Sequence, residues 1–246
     1  MGELIAVASG KGGTGKTSVT AGVASALALT GKRVLCIDCD VGLRNLDISL
    51  GLAHTCPLTF LDVCSGGYAL SQATVHPDFP TLHFLTAPMN CPPEAIDVTA
   101  FGAFLTSARR CYDYIFLDAP AGVDAGFRLA ATYCDRCILV TGAGAAALRD
   151  AARTAQVLEL MGKTNVRLVV NRIQRKLFKA MDITVDDLMD TAGLPLLGLV
   201  EEDREVTLAA TFNRPLLMYK PRSAAAKAYR RIAKRIMGLP EPISIR

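Results

Sequence analysis

A glycine-rich loop directly after an apolar segment constrains this 246-residue chain more than any other feature. Residues 4–8 read LIAVA, and residues 9–17 read SGKGGTGKT, which fits the phosphate-binding pattern G-x-x-x-x-G-K-T. The glycines let the backbone curl closely around phosphate oxygens, and the helix expected to follow directs its positive N-terminal dipole at the same anion. The sequence therefore predicts a nucleotide-binding P-loop.

The loop supplies most of the candidate site residues. Lys16 is expected to place a positive charge beside the β- and γ-phosphates, and the Thr17 hydroxyl is suited to ligate Mg²⁺. ATP and Mg²⁺ are therefore the expected cofactors. The predicted nucleotide-binding residues of the loop are Gly10, Lys11, Gly12, Gly13, Thr14, Gly15, Lys16, Thr17 and Ser18.

The same glycines also fit a dinucleotide-binding fingerprint, G-x-G-x-x-G after a strand, with Asp38 about twenty residues further on. Two features favour the P-loop. Lys16 follows the last glycine directly, and the apolar segment 114–118 (YIFLD) ends in Asp118, as in the Walker B strand that holds the Mg²⁺ shell. An oxidoreductase that uses a nicotinamide cofactor is the distant alternative.

Short apolar segments alternate with helical patterns along the chain. The expected strands are Leu4–Ala8, Arg33–Asp38, Leu82–Ala87, Tyr114–Asp118, Arg136–Thr141, Val166–Asn171 and Leu196–Val200. The expected helices are Lys16–Thr30, Glu94–Cys111, Ala145–Met161, Val185–Ala192, Arg204–Thr211 and Ser223–Met237. This β-α order predicts an α/β fold, with three layers around a doubly wound, mostly parallel sheet. The less regular segment 51–81 is expected to form a cap near the site.

Acidic residues follow the ends of two of the expected strands. In doubly wound folds ligands bind beyond the carboxyl ends of the strands, so the P-loop, Asp38 with Asp40, and segment 118–122 should converge on one crevice. Thr17, Asp38 and Asp118 are predicted to hold the metal ion. The convergence of three polar loops favours an enzyme.

Length and composition suit one domain spanning residues 1–246, with 51% hydrophobic residues available for a core. No apolar run approaches the ~18 residues of a membrane-spanning helix. Met1 lies two residues before the first expected strand, which leaves no room for a signal peptide. A cytoplasmic location is expected.

Eight cysteines in a chain with a P-loop are expected to stay reduced. Two pairs have C-x-x-C spacing, Cys36 with Cys39 and Cys134 with Cys137. Cys36 lies inside an expected strand, so a partner three residues on faces the other side of the pleat. Small core side chains are favoured over metal ligands for both pairs.

The net charge of +4 is unevenly spread, because the segment 220–235 holds seven lysines and arginines and no acidic residue. Such a run is usually a solvated helix face, and it is also a candidate surface for nucleic acid or anionic lipid. In the expected helix Ser223–Met237, Ala226, Tyr229, Ala233 and Ile236 fall at helical spacing. Docking of this stripe on the sheet is favoured over insertion into a lipid surface, so any contact with an anionic membrane should be weak.

Lys11 gives the loop a family resemblance. The sequence K-G-G-x-G-K-T at 11–17 resembles the deviant Walker A motif of the MinD/ParA ATPases, which have a P-loop NTPase fold. The resemblance implies that Lys11 reaches across an ATP-dependent homodimer to the partner's nucleotide. Lys11 and Lys16 would then stabilise charge on the transferred phosphoryl group, as an arginine finger does.

Two further motifs resemble one branch of this family in particular. Residues 38–47 (DCDVGLRNLD) and 118–122 (DAPAG) resemble the switch I and switch II of the branch that places the division site. The resemblance implies that Asp40 orients the attacking water, and that Asn171 and the adjoining Arg172 lie at the base of the nucleotide. The residues 148–150 (LRD) match a pair that faces partner proteins in that branch.

The chain also departs from the family pattern. Residues 141–145 read TGAGA where a T/N-P-E sequence is usual, and 201–203 read EED, without the proline that helps to frame the adenine. The amphipathic membrane-targeting helix of the division-site branch lies beyond a linker, and the given sequence stops where that linker would begin. Membrane contact through such an anchor is therefore not expected from these residues.

The resemblance implies an ATPase switch that dimerises with ATP, separates on hydrolysis and regulates division-site placement. Its implied partners are a division inhibitor and a regulator that activates the ATPase, with transient contact at the inner face of the membrane. The alternatives are positioning ATPases that control flagellar number or partition DNA. Nucleic acid is the less favoured partner.

Overall fold

The computed structural model describes residues 1–55, 57–89, 91–180 and 183–243. The strands are β1 (Glu3–Ser9), β2 (Val34–Asp38), β3 (Thr74–His76), β4 (Phe79–Leu85), β5 (Tyr114–Ala121), β6 (Arg136–Thr141), β7 (Val166–Ile173) and β8 (Leu196–Glu201). The helices are α1 (Lys16–Ala28), α2 (Leu46–Leu50), α3 (Phe60–Cys64), α4 (Val98–Cys111), α5 (Ala125–Thr132), α6 (Ala145–Leu160), α7 (Arg175–Ala180), α8 (Val185–Ala192), α9 (Arg204–Thr211), α10 (Leu216–Tyr219) and α11 (Ala224–Ile236).

One eight-stranded sheet runs through the molecule in the order β3-β4-β2-β5-β1-β6-β7-β8. All neighbouring strands are parallel except β3 and β4, which pair antiparallel at one edge. Because the other strands point the same way, their carboxyl ends lie along one edge of the sheet. The predicted doubly wound and mostly parallel α/β fold is confirmed.

Helices cover both faces of the sheet, which gives the predicted three layers. One core contains Ile5 and Val7 of β1 together with side chains from α1, α2, α9, α10 and α11. The other contains Leu4, Ala6 and Ala8 with side chains from α3, α4, α5, α6 and α8. Alternate side chains of β1 thus pack into two different cores, which explains why this strand is apolar throughout.

The six predicted helices are present, and two, α8 and α9, have the predicted bounds. Helix α4 begins at Val98 rather than Glu94, because the Asp97 carboxylate accepts hydrogen bonds from the N–H groups of Thr99 and Ala100 and caps the helix there. The short helices α2, α3, α5, α7 and α10 were not predicted. Most of them are too short to show a helical period in the sequence.

The prediction that segment 51–81 caps the site is wrong for its second half. Residues Thr74–His76 form the antiparallel edge strand, and β4 begins at Phe79. This hairpin lies at the edge of the sheet, with β2 and β5 between it and β1. Three residues give too little alternation for a strand to be predicted from sequence.

The cysteine pairs pack as predicted core residues. Cys36 and Cys39 are buried in different cores, on opposite faces of the sheet, and Cys134 and Cys137 are buried in the same core. Burial raises the pKa of the Cys137 thiol well above its usual value, which keeps the thiol protonated and unreactive.

Helix α11 docks on the sheet through its apolar stripe, as the sequence favours. Ala226, Tyr229, Ala233 and Ile236 are all buried. The Tyr229 ring packs directly on α1 at Gly22, where an added Cβ would lie 2.1 Å from Cδ2 of the ring. At the end of the helix, the Arg235 guanidinium donates to the carbonyl oxygens of Leu197 in β8 and of Pro242. The stripe is therefore not available to a lipid surface.

Within the described residues, every helix is too short or too polar to span a bilayer.

The edge hairpin contains a histidine that we expect to make stability depend on pH. His76 is buried; its Nε2 lies 2.7 Å from the Leu50 carbonyl oxygen, and its Nδ1 accepts a hydrogen bond from the Asp78 N–H. Burial lowers the pKa of His76 below its usual value of 6.5, so the folded chain holds the neutral ring. Below pH 6.5 the unfolded chain binds a proton that the folded chain does not, and folding loses free energy.

The free energy of urea unfolding of the wild type, minus that of His76→Gln, should therefore fall as the pH is lowered from 7 to 5. His54→Gln, at an exposed position, is the matched control and should show no such trend. A difference that stays constant for His76→Gln would contradict the expectation.

Candidate nucleotide site

The glycine loop joins β1 to α1 at the carboxyl edge of the sheet. Gly13 and Gly15 have φ values of 82° and 83°, in the left-handed region that glycine adopts without strain. A Cβ placed on Gly12 or Gly13 would meet no atom within 4 Å, so the loop has an open inner surface. The backbone geometry that the sequence pattern predicts is therefore present.

Two of the glycines also allow close contacts with neighbouring elements. A Cβ on Gly10 would lie 2.7 Å from the carbonyl oxygen of Asp150 in α6, and a Cβ on Gly15 would lie 2.3 Å from Nδ2 of Asn171. Both positions must be glycine for the loop to rest against α6 on one side and β7 on the other.

Lys16 and Asp118 form a buried ion pair at the start of α1. The Lys16 Nζ lies 3.0 Å from Asp118 Oδ1, and the two side chains are 7% and 1% exposed. The Thr17 hydroxyl donates to Asp118 Oδ2 at 2.8 Å, and the Thr20 hydroxyl lies 2.7 Å from Oδ1. The carboxylate is thus held by one cation and two hydroxyls, which offsets the cost of burying its charge.

Asp38 stands next to Asp118, at the matching register position of the neighbouring strand β2. Its Oδ1 accepts the Asp40 N–H at 2.9 Å, and its Oδ2 accepts the Leu46 N–H at 3.1 Å. Burial, and then the charge of Asp118, raise the pKa of Asp38 to about 7. The structure brings Thr17, Asp38 and Asp118 together, with the Asp38 oxygens engaged by the loop that follows β2.

Asp40 lies in this loop, which runs from 39 to 45. Its Oδ1 accepts the Leu43 N–H at 3.2 Å, and its carbonyl accepts the Arg44 N–H. Arg44 has a φ of 46°, which is uncommon for a residue with a side chain, and its Nε donates to the Thr86 hydroxyl at 3.1 Å. These contacts fix the loop, while the Leu43 side chain at its tip is 72% exposed.

Lys11 differs from Lys16 in being exposed. The Ser9 hydroxyl donates to the Lys11 carbonyl oxygen at 3.1 Å, which holds the main chain and leaves the ammonium at the surface. A single loop therefore carries one buried and one exposed lysine.

Asn171 and Arg172 end β7 beside the loop. The Asn171 Nδ2 donates to the Thr14 carbonyl at 2.8 Å, so its Oδ1 is the atom left to accept a hydrogen bond from a ligand. Arg172 donates to the Gly13 carbonyl at 3.1 Å and to Glu202 Oε1 at 3.1 Å. The structure thus places both residues against the glycine loop, and their contact with the base of a nucleotide stays a prediction.

A cavity of about 420 Å³ opens between the start of α1 and the loop after β8. Its lining includes Gly15, Ser18, Asn171 and Arg172 on one side and residues 200–204 on the other. The volume falls in the range of small-molecule sites, and the cavity continues from the glycine loop.

The residues present fit Mg²⁺ and a nucleotide. The Thr14 Oγ1 is buried without a hydrogen-bond partner in the described part of the chain, so a phosphate oxygen would satisfy it. The described residues hold no cluster of three histidine, cysteine, aspartate or glutamate side chains. A hydroxyl and one or two carboxylates, completed by phosphate oxygens and water, are the ligands that Mg²⁺ takes in phosphate sites.

Sequence reasoning missed several residues that shape the site. Thr20 holds Asp118, Glu202 binds Arg172, and Asp203 and Tyr229 lie around the cavity. Thr20 stands one helical turn beyond Lys16, on the same face of α1, so a polar residue at i+4 from the P-loop lysine could have indicated it. Segment 201–203 is the one that the resemblance relates to the adenine, and Asp203 directly precedes the predicted helix Arg204–Thr211, as an N-cap residue does. The contacts of Glu202 and Tyr229 carry no local signal.

The chain is similar to known proteins along almost its whole length. Residues 5–216 match the model of the CobQ/CobB/MinD/ParA nucleotide binding domain. Septum site-determining protein MinD of Synechocystis sp. is 36% identical over 244 residues, covering 98% of this chain and 92% of that protein. MinD of Bacillus subtilis is also 36% identical, covering 100% of this chain and 92% of its own length.

The chain belongs to the MinD family.

Solved structures of MinD proteins agree with this assignment. MinD in a MinC:MinD cell division protein complex from Aquifex aeolicus is 32% identical, with a TM-score of 0.90 over 99% of this chain and 98% of that one. A MinD from Pyrococcus horikoshii, complexed with Mg-ADP, is 30% identical, with a TM-score of 0.82 over 96% of each chain. The predictions of a MinD/ParA-type P-loop fold and of a MinD-like division-site ATPase are confirmed. The oxidoreductase alternative is set aside.

Proposed function

We propose that this MinD-family chain works as an ATP-driven switch in division-site placement, with residues 1–246 acting as a single ATPase domain. One observation carries the proposal. The glycine loop holds two lysines in opposite settings, Lys16 buried beside Asp118 and Lys11 exposed. A subunit that worked alone would need only the buried lysine. The exposed one gains a role when a second copy closes over the nucleotide.

Within one subunit, the buried residues would bind Mg-ATP. Lys16 keeps a positive charge at the loop for the β- and γ-phosphates, while Thr17 and Asp118, with Asp38 alongside, would hold the metal. Mg²⁺, when bound, neutralises charge that develops on the phosphates. Asn171 would accept a hydrogen bond from the adenine amino group through Oδ1, because its Nδ2 already donates to the Thr14 carbonyl.

Asp40 would orient the attacking water. Its loop is fixed at both ends by Asp38 and at Arg44 by Thr86, so the carboxylate is positioned before substrate arrives. Lys11 of one subunit would stabilise charge at the nucleotide of the other, as an arginine finger supplied by a partner does. Hydrolysis would remove the contact and separate the subunits, which is how a nucleotide switch releases its ordered state.

We also propose that the chain has protein partners. The Aquifex aeolicus relative was solved as a MinC:MinD complex, so a division inhibitor of that kind is the first partner. A second is a regulator that activates the ATPase. Residues 149 and 150 on α6 would face these partners, and α6 touches the glycine loop through Gly10. The switch would act in the cytoplasm and transiently at the membrane.

Substitution of Lys11 and of Lys16 should affect different properties, dimerisation in the first case and ATP binding in the second. Lys11→Ala should retain ATP binding and lose the ATP-induced dimer, because its contact lies across the interface. Lys16→Gln should lose ATP binding, because it removes the cation at the phosphates. Glutamine can still donate to Asp118, which avoids leaving a buried carboxylate without a partner.

Fluorescent ATP titration and sedimentation velocity with and without ATP measure the two properties. Lys32→Ala, at the opposite end of α1 from the loop, is the matched control and should behave as wild type in both assays. A Lys11→Ala protein that dimerises normally with ATP would defeat this part of the proposal.

Asp40 should matter for chemistry more than for binding. Asp40→Ala should slow ATP hydrolysis roughly 100-fold, as expected for a residue that positions or activates the nucleophile, and accumulate as an ATP-bound dimer. Asp40→Asn keeps the acceptor for the Leu43 N–H and removes the charge, so a comparable loss there assigns the effect to the carboxylate.

Steady-state hydrolysis and chromatography of the ATP-bound species measure both effects. Asp186→Asn, at an exposed position in the first turn of α8 and away from the site, serves as the control and should hydrolyse ATP at the wild-type rate. Unchanged turnover in Asp40→Ala would place the role elsewhere.

The basic segment 220–235 supports DNA partitioning as a second candidate function. At least three of its seven cations are already engaged, because Arg230 donates to the Pro221 carbonyl, Lys234 pairs with Glu241, and Arg235 binds Leu197 and Pro242. The apolar stripe of α11 is also docked on the sheet, which reduces the surface that the segment can offer to DNA. We therefore favour the division-site role, with weak membrane contact at most.

The ADP form should bind anionic liposomes little, and the ATP form should bind them only in a salt-sensitive way, because dimerisation doubles the lipid contacts. Co-sedimentation with anionic vesicles, with neutral vesicles as the control, and with duplex DNA in parallel measures this. Tight, salt-resistant vesicle binding by the ADP form would be inconsistent with a docked α11. Binding to DNA that requires ATP would favour partitioning.

A further inference from the structure

A single carboxylate joins the loop after β8 to two helices. Asp203 Oδ1 accepts the Glu205 N–H at 3.0 Å, which caps the start of α9. Asp203 Oδ2 accepts the Ala225 N–H at 3.0 Å, in the first turn of α11. Asp203 and Ala225 are 22 residues apart in sequence, so the carboxylate makes a tertiary contact as well as a helix cap.

The clamped loop is one wall of the nucleotide cavity. Residues 201–204 line it, facing Asn171 and Arg172 at the end of β7. Tyr229 of α11 contributes to the same lining. Burial, and then the charge of Asp203, raise the pKa of the Tyr229 phenol, which keeps it neutral in the wall. One end of the cavity is therefore built on α11.

The other attachments of this loop are of a different kind. The Glu202 N–H donates to the Ile173 carbonyl at 3.0 Å, which continues the contact with β7. The Glu202 side chain pairs with Arg172 and Gln174 at the surface, where ion pairs contribute little. Among the described residues, the Asp203 carboxylate accepts the hydrogen bond that ties this loop to α11.

We propose that Asp203 is a positioning residue for the nucleotide, which fixes the wall of the cavity to α11 without touching the reacting atoms. The inference rests on the proposed ATPase function and adds a residue to it. Because the wall would contact the nucleotide equally before and during hydrolysis, loss of the clamp weakens binding and leaves the chemical step unchanged. Nucleotide binding in turn steadies the first turn of α11.

Substitution of Asp203 should raise KM and leave kcat almost unchanged. Asp203→Ala should raise the KM for ATP and the Kd for ADP about tenfold, with kcat within twofold of wild type. Asp203→Asn retains one of the two acceptor oxygens, so its KM and Kd should lie between those of the wild type and of Asp203→Ala. Asp97→Ala is the matched control, because Asp97 also accepts two main-chain N–H groups at a helix start, but it does so at α4 on the opposite face of the sheet.

Hydrogen exchange provides a readout that a general loss of stability would not produce. In the wild type, ADP should slow exchange of the Ala225 and Ala226 N–H groups, and in Asp203→Ala this slowing should be lost. Wild-type Kd values in folded Asp203→Ala, or an equal rise in Asp97→Ala, would overturn the proposal. A wild-type protein that failed to bind ADP or ATP would instead overturn the proposed function itself.

Discussion

The buried ion pair between Lys16 and Asp118 is the interaction on which the rest of the site depends. Two charges are removed from water between the start of α1 and β5, and hydroxyls of Thr17 and Thr20 offset that desolvation by completing the shell of the carboxylate. The pair sets the charge felt by Asp38, whose own carboxyl then holds the loop carrying Asp40. The residues proposed to hold the metal, the phosphates and the attacking water thus form one electrostatic unit.

The site draws on helices from both faces of the sheet. The glycine loop rests on α6 at Gly10, and the wall beyond Asn171 is built on α11 through Asp203. A ligand held between the glycine loop and the loop after β8 would contact elements that rest on helices of both outer layers. This arrangement suits a switch, because a change at the phosphates reaches a surface on either side without crossing the sheet.

The sequence contained enough information for the sheet and the glycine loop, because both depend on local patterns. Apolar runs with both faces buried mark the central strands, and the loop needs glycine at 13 and 15 for its backbone angles. The edge strand β3 and the short helices escaped prediction because tertiary contacts, not periodicity, determine them. Pairs such as Asn171 with Thr14, 157 residues apart, could be expected only through a family resemblance. At Asp203 the helix cap has a local signature, an aspartate directly before a predicted helix, whereas the hydrogen bond to Ala225, 22 residues away, has none.

Both borders of the sheet have features that disfavour pairing with further strands. On one side the outermost strand has only three residues, and on the other the Leu197 carbonyl of β8 is already capped by the Arg235 guanidinium. Short or covered borders of this kind resist the edge-to-edge pairing that leads sheets into aggregates. The proposed association of two such chains would therefore rest on side chains and loops at the ends of the strands. Contacts of that kind can be made and released with each nucleotide, whereas a continuous ladder of main-chain hydrogen bonds would persist.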